Sequence, residues 1–394
     1  MRAKIAAGMR GLVRWGASLG MRRLPRRNHV LIAGWPDDEG NSVEVARAIA
    51  RRYTGKIFYL QNDRATSKVS LWGSTMPRIT FVRKNSLRSL LIFSTAEVNF
   101  FTHGLFGSPR SGQGKTVVNL WHGDGPKQVS GASLNETLKS DVVVSGAKVW
   151  GEFKLSYFQG APDGLLVVGN PRIDQFAQPA SAARLRQLGL DESKATILWM
   201  PTYRETVTDH ALSWSDAPKL FSRSEVLSGL RELAAESVNS GWQIVVKPHP
   251  LDAESFVAAG LQVITNDDLR RASVSLYSLI GASAGLITDY SSVWTDYLAL
   301  NRPIAFYVPD LDEYESARGF TVSPLKDYLP GEIYQTPSSL QLFAADCASG
   351  RDPSAQLRRD AGEQLGAVTE LGAAERLLTQ LDQWFHRNGR KPMF

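Results

Sequence analysis

The segment Leu286-Ile287-Thr288-Asp289-Tyr290-Ser291-Ser292-Val293-Trp294-Thr295-Asp296-Tyr297 carries an apolar strand pattern straight into a helix start built of hydroxyls and a carboxylate. A strand that feeds a helix through so short a turn is the building unit of parallel α/β sheets. Where such a strand ends, unpaired amide N–H groups and the positive end of the helix dipole converge, which suits an anionic ligand. Ser291 and Ser292 add short hydroxyl donors there. The plainer reading is that Asp289 or Ser291 only caps the helix, as at most strand-to-helix turns.

The same alternation extends in both directions. Downstream of residue 190 the pattern predicts strands at 196–200, 243–247, 262–265, 286–288 and 304–307, with helices at 224–236 and 293–300. Upstream it predicts strands at 29–33, 56–60, 79–82, 98–102, 116–121, 142–145 and 165–168, with an amphipathic helix at 43–53 between the first two. Pro171, Pro179 and the Ala/Ser/Gln-rich run over 175–183 mark a boundary between the two series. A chain of 394 residues is too long for one ordinary core. The expectation is therefore an α/β protein of two Rossmann-like, doubly wound domains facing a cleft. These are an N-terminal, acceptor-side domain at 28–178 and a C-terminal, donor-binding domain at 179–354. A helical tail at 355–394, free to cross back to the first domain, follows them.

Residues 1–27 stand apart. They hold eight Arg and Lys and no acid, so a chain of net charge +6 has a body of −2. A mildly acidic body with a basic arm argues against a nucleic-acid groove and for a local anionic partner. Ile5, Met9, Leu12, Gly16 and Leu19 recur at helical spacing with Trp15 beside them and arginines elsewhere on the wheel. This predicts a basic amphipathic helix lying on an anionic membrane surface. Arg10 and Arg14 interrupt any secretory h-region, and no later apolar run reaches 18 residues. The single cysteine, Cys347, excludes an internal disulfide framework and fits a reducing compartment.

Two of the six histidines sit at strand ends in unusual company: His122 in Trp121-His122-Gly123-Asp124-Gly125-Pro126-Lys127, and His249 in Lys247-Pro248-His249-Pro250. In doubly wound sheets ligands bind beyond the carboxyl ends of strands, so each half would offer one imidazole. A neutral imidazole can take a proton from an attacking hydroxyl, and a charged one can steady phosphate oxygens. His29, His103, His210 and His386 read as hydrogen-bonded turn residues. Arg204, in Pro201-Thr202-Tyr203-Arg204-Glu205, has the bidentate geometry to grip a phosphate, whereas Arg318 has an ordinary surface ion pair as its alternative. Gly169-Asn170-Pro171-Arg172-Ile173-Asp174 reads as a turn leaving the first domain. There is no zinc-ligand spacing and no GxxxxGK[ST] loop.

Taken in order, WHG at 121–123, NPR at 170–172, PTYRE at 201–205, KPHP at 247–250, ITDYSS at 287–292 with DY at 296–297, and Asp310, Tyr314, Arg318, Gly319 and Phe320 resemble the CDP-glycerol glycerophosphotransferase family. These are the teichoic-acid primases and polymerases. The resemblance covers 115–325. It implies a GT-B fold, a CDP-alcohol donor, a lipid-linked saccharide or polyol-phosphate acceptor, and a peripheral position on the cytoplasmic face of a bacterial membrane. By the same likeness His122 and His249 match the family's essential histidines. Thr288, Asp289, Ser291 and Ser292 match its donor phosphate segment, and Arg318 falls where a phosphate contact is expected. The family usually reads WHGTPLK and PRND, whereas this chain has WHGDGPK and PRID.

The expected chemistry is attack by an acceptor hydroxyl on the alcohol-bearing phosphorus, with CMP as the leaving group. His122 serves as base, and His249, Lys247, Ser291, Ser292, Arg204 and Arg318 hold phosphate. Gly123 and Asp124 shape the loop beside the base, and no cofactor or metal is called for. The rival readings are a GT-B glycosyltransferase using a nucleotide sugar, and a catalytically silent membrane-bound scaffold.

Overall fold

Valine- and isoleucine-rich runs too short for helices set the framework of the computed structural model, which describes residues 2–62, 77–107, 111–112, 114–127, 138–202, 223–248, 253–258, 260–309 and 311–394. In the first half they form β1 (Arg27–Ala33), β2 (Lys56–Gln61), β3 (Ile79–Arg83), β4 (Ala96–Phe101), β5 (Thr116–Asn119), β6 (Val142–Ser145) and β7 (Leu165–Val167). In the second they form β8 (Ala195–Met200), β9 (Trp242–Val246), β10 (Gly285–Thr288), β11 (Ile304–Tyr307) and β12 (Glu332–Tyr334). The first sheet runs β3-β2-β1-β4-β5-β6-β7 and the second β12-β11-β10-β8-β9, every pairing parallel.

The chain divides into two units. The first comprises Met1–Gly123, Gly131–Asp174 and Glu370–Phe394; the second comprises Asp124–Ser130 and Gln175–Thr369. In the first, alternation along each strand sorts side chains to opposite faces. Val30, Ile32, Val98, Phe100 and Val118 pack with Leu377, Leu378, Leu381 and Phe385 of the helix Ala373–Arg387. Leu31, Phe101, Val117 and Val143 face the other way, onto Phe93, Ala17 and Met21. With both faces covered, interior strands such as β5 and β6 are buried throughout, as parallel sheets require. In the second unit Ile197, Trp199, Ile244, Val246 and Ile287 form the matching core with Leu230, Leu233, Leu340 and Phe343.

Several expectations are revised. The tail at 355–394 is two helices, Ala355–Leu365 and Ala373–Arg387, and the first belongs to the second unit while the other belongs to the first. The run at 262–265 makes only an isolated bridge from Val263 to Val246, because Thr265 instead caps the helix Asn266–Arg271 in a reciprocal capping box with Asp268. The helix after the opening motif is one turn, Val293–Tyr297, continued by the 3-10 turn Leu298–Leu300. Strand β12 had no apolar run to announce it.

The basic segment forms the helix Arg2–Arg23. Gly20 lets it approach the helix Leu87–Thr95, since a Cβ there would fall 2.4 Å from the Ser94 hydroxyl. At its carboxyl end Lys115 Nζ donates to the carbonyls of Gly20, Met21 and Leu24 at 3.3, 2.8 and 2.6 Å, filling acceptors a helix end leaves open. Among the described residues, no helix is long and apolar enough to cross a membrane.

Asp174 shows how the last helix is held in the first unit. Its carboxylate accepts the N–H groups of Gly372, Ala373 and Ala374 at 2.7, 2.7 and 2.9 Å. Asp174→Ala is therefore expected to lower unfolding free energy by about 1–2 kcal/mol, the usual cost of a lost N-terminal cap. Denaturant titration tests this, and an unchanged midpoint would refute it.

Candidate functional site

In the second unit the strand order reverses between β8 and β10, the place where open α/β sheets take ligands. Side chains of the opening motif tie the two strand ends together. Thr288 Oγ1 donates to the Met200 carbonyl at 2.8 Å. Both oxygens of Asp289 accept the Thr202 N–H at 3.0 Å, and Oδ1 also accepts the Thr202 hydroxyl at 2.6 Å and the Ser291 N–H at 3.1 Å. The sequence grouped Thr288 and Asp289 with the ligand contacts. Their described bonds shape the loop that carries Ser291 and Ser292.

Capping does not account for the serines. Ser292 occupies the N-cap position of Val293–Tyr297 but makes no side-chain cap bond. Asp296 and Tyr297 are core groups: Asp296 accepts the Tyr277 hydroxyl, and the Tyr297 hydroxyl lies 2.9 Å from Ser283 Oγ.

Residues 124–127 pack in this same unit. The Thr295 hydroxyl lies 2.8 Å from the Asp124 carbonyl, and Thr321 donates its N–H to the Pro126 carbonyl at 2.7 Å. Lys127 makes an antiparallel bridge with Phe320. At Gly125 a Cβ would sit 3.0 and 3.1 Å from Ser292 Cβ and Cα, so the departure from the family pattern coincides with a close backbone approach. Tyr314 stacks between motifs, its ring 4.1 Å from Tyr290 and 5.4 Å from Phe320. Asp124 is buried.

Lys247 follows β9 and is buried, with Nζ donating to the Pro248 carbonyl at 3.2 Å. Burial pushes its pKa down to about 8, against an opposing pull from Asp268. His249 and Arg204 lie outside the described residues, as does Asp310. Arg318 ends the helix Leu311–Arg318, and its side chain is likewise outside them.

In the first unit the geometry centres on His122. Trp121, just before it, has φ 51°, a left-handed torsion that costs a bulky residue about 1–3 kcal/mol unless its surroundings impose it. They do. The Trp121 N–H goes to Asn119 Oδ1 at 2.9 Å, and its carbonyl accepts from Asn41 Nδ2 at 3.1 Å. The next carbonyl, of His122, accepts from Arg172 Nη1 at 2.6 Å. Asn41 also takes the Arg172 N–H at 3.0 Å, and Arg172 lies 3.7 Å from Glu39. Arg172, which the sequence offered as part of a turn and of the Asn170-Pro171-Arg172 motif, thus grips the histidine's own backbone. Gly123 follows with φ 147°.

His103 is the second revision, since its ring is not merely a turn group. It lies parallel to His122, with centroids 4.3 Å apart and planes at 14°. Asn41 and His103 were missed, and Arg172 entered only through the Asn170-Pro171-Arg172 motif, because each acts on a partner distant in sequence. For His103 the usable signal was its place just beyond the end of β4.

The family model described as CDP-glycerol:poly(glycerophosphate) glycerophosphotransferase matches residues 27–382. A teichoic acid poly(glycerol phosphate) polymerase of Staphylococcus epidermidis is 29% identical over 252 residues, 58% of this chain and 33% of its own length, so the match spans only a third of that relative. A teichoic acid glycerol-phosphate primase of Bacillus subtilis is 24% identical over 324 residues, 75% of this chain and 79% of its own. Among solved structures, that of the wall teichoic acid polymerase TagF superposes with a TM-score of 0.72 at 20% identity, covering 98% of this chain and 96% of the other, which shows a shared GT-B-like fold. A putative UDP-N-acetylglucosamine 2-epimerase from Listeria monocytogenes shares that fold more distantly, with a TM-score of 0.56, 14% identity and coverage of 93% and 99%. Fold alone therefore does not choose the chemistry, but with a family model spanning the two units, the chain belongs to the CDP-glycerol:poly(glycerophosphate) glycerophosphotransferase family.

Proposed function

We propose that this chain transfers an alcohol phosphate of the glycerol phosphate kind from a CDP-alcohol to an acceptor hydroxyl, in the synthesis of teichoic acid or a related envelope polymer. The observation that carries the reading is the fixing of His122: a strained Trp121 and two buried side chains hold its backbone at a strand end, an arrangement that storage of a mere turn would not need. His122 takes the proton of the acceptor hydroxyl as that oxygen bonds to the alcohol-bearing phosphorus. The bond from phosphorus to the CMP oxygen breaks, and CMP leaves with the electron pair. Ser291, Ser292 and Lys247 hold donor phosphate, with His249, Arg204 and Arg318 proposed as supporting groups. Such a transfer is accelerated chiefly by positioning and charge neutralisation. The acceptor is taken to be lipid-linked, and the site of action the cytoplasmic face of the membrane.

Removing the base should cost about 10²- to 10⁴-fold in rate. His122→Ala is expected to lose CMP release to that extent while binding CDP nearly as well as the parent, and full turnover in the variant would overturn the assignment.

Lys247 gives the donor site a pH signature. Its folded pKa, near 8, lies below that of an exposed lysine. Below pH 8 the ammonium is already present to meet a phosphate, whereas above it binding must first take up a proton. CDP affinity should therefore be flat from pH 7 to 8 and then weaken by up to about tenfold per pH unit. Calorimetry from pH 7 to 9.5 checks this. A flat profile in the parent, or a slope that survives in Lys247→Met, would exclude Lys247 from the phosphate site.

Membrane attachment is proposed for one side of the helix Arg2–Arg23. Ala17 and Met21 are buried in the unit, while Leu12 and Trp15 are 70% and 65% exposed and Leu19 lies beside them, also exposed. Replacing Leu12, Trp15 and Leu19 by serine should release the protein from anionic vesicles in flotation. Unchanged binding would refute the anchoring role.

A further inference from the structure

The first sheet reverses its strand order between β1 and β4, so its ligand-binding edge lies there rather than at β5 alone. Register fixes what stands on that edge. Ala33 pairs with Phe101, and Phe101 with Asn119. Two residues beyond each come Trp35, His103 and Trp121, with His122 next. Three neighbouring strands thus bring Trp35, His103 and His122 together. The Trp35 ring meets His103 edge-on at 5.2 Å and 68°, and His103 lies parallel to His122.

One hydroxyl binds the first two together. Thr102 Oγ1 accepts the Trp35 backbone N–H at 3.1 Å and also lies 2.9 Å from His103 Nδ1, within hydrogen-bond distance. Trp35 is 62% exposed, an unusual state for the largest apolar side chain, and His103 also keeps part of its ring open to solvent.

We propose that the exposed ring of Trp35, propped edge-on by His103, is the platform against which a saccharide ring of the acceptor is laid, so that one of its hydroxyls reaches His122. The inference rests on the proposed role of His122 as base. What the platform offers is ring surface rather than charge. The described cations acting on His103 are Lys84 and Arg172. Lys84 Nζ donates to the Gly34 carbonyl at 2.6 Å and pairs with Asp37, and Arg172 is spent on the His122 carbonyl and Glu39. Both are largely buried. Desolvation first, and then these two positive charges, push the His103 pKa well below the usual histidine value, so its ring is neutral in the working range. The C–H face of a sugar ring suits such a surface. The end of an alcohol-phosphate polymer has no flat apolar face, and the described cations beside His103 are already engaged. The acceptor part that fits this surface is a saccharide ring.

The test uses the full chain with CDP-glycerol as donor and two acceptor sets, short alkyl-linked disaccharides and glycerol-phosphate oligomers. Trp35→Ala should raise KM for the disaccharide roughly tenfold, the scale of one aromatic stacking contact, with donor KM unchanged and Trp35→Phe largely restoring the parent value. His103→Ala should act in the same direction. Saturation-transfer NMR on the disaccharide without donor gives a readout independent of turnover: contact with sugar protons in the parent, and its loss in Trp35→Ala. If CMP is released but Trp35→Ala handles the disaccharide as the parent does, the platform is wrong and the transferase reading stands. If no CDP-alcohol yields CMP yet the disaccharide contact depends on Trp35, the transferase reading is wrong and the platform stands. A parent that accepts glycerol-phosphate oligomers far better than any saccharide overturns the acceptor class.

Discussion

Every strand pair in both sheets is parallel, and that constraint organises the rest. A parallel neighbour can be reached only by a crossover that carries the chain back along the sheet, so successive strands deliver their carboxyl ends to one edge. Residues far apart in sequence then meet without any local signal: Trp35, His103 and Trp121 share a row because β1, β4 and β5 share a register. The second sheet does the same for Thr202 and Asp289, which follow β8 and β10 and bond directly. In each unit, chemistry collects where hydrogen-bonded pairing has already placed backbone, and side chains refine the placement.

The refinement is costly, which is what separates these edges from ordinary turns. Asn41 spends both ends of its amide on backbone, one on Trp121 and the other on Arg172, and is fully buried while doing so. A buried amide left half-satisfied would cost about 1–3 kcal/mol, so such a residue persists only where its geometry fits. Asp289 plays the corresponding part in the second unit, buried and bonded to two loops. The two groups differ in charge yet do the same work, fixing loops whose own torsions would not hold them.

Much of this was legible because strand ends are marked by local chemistry. Runs such as Val142-Val143-Val144-Ser145 have one sensible conformation, and the hydroxyls after Ile287 announce a turn. The failures also have local causes. Residues 262–265 read as a strand because Val263 and Ile264 are β-branched, but Thr265 and Asp268 form a capping box, and a local bond formed within four residues outcompeted a distant partner. The tail read as one helix because its leucines keep helical spacing on both sides of Gly366 and Gly372. Both glycines take left-handed torsions and separate helices that belong to different units. His103 looked ordinary because stacking is a relation between rings on neighbouring strands, and no single-sequence period encodes it.

The loop after His122 joins these strands of reasoning. Up to His122 its backbone is gripped within the first unit by Asn41 and Arg172. From Asp124 onward it is gripped within the second by Thr295 and Thr321, and Gly125 touches Ser292 closely. Only Gly123 lies between the two sets of bonds, at φ 147°, a torsion that costs glycine little and any other residue a great deal. Its positive torsion alone favours glycine at this position of Trp-His-Gly. Asp124 and Gly125 depart from the expected family pattern, and in this chain the Asp124 carbonyl accepts the Thr295 hydroxyl while Gly125 lies close against Ser292.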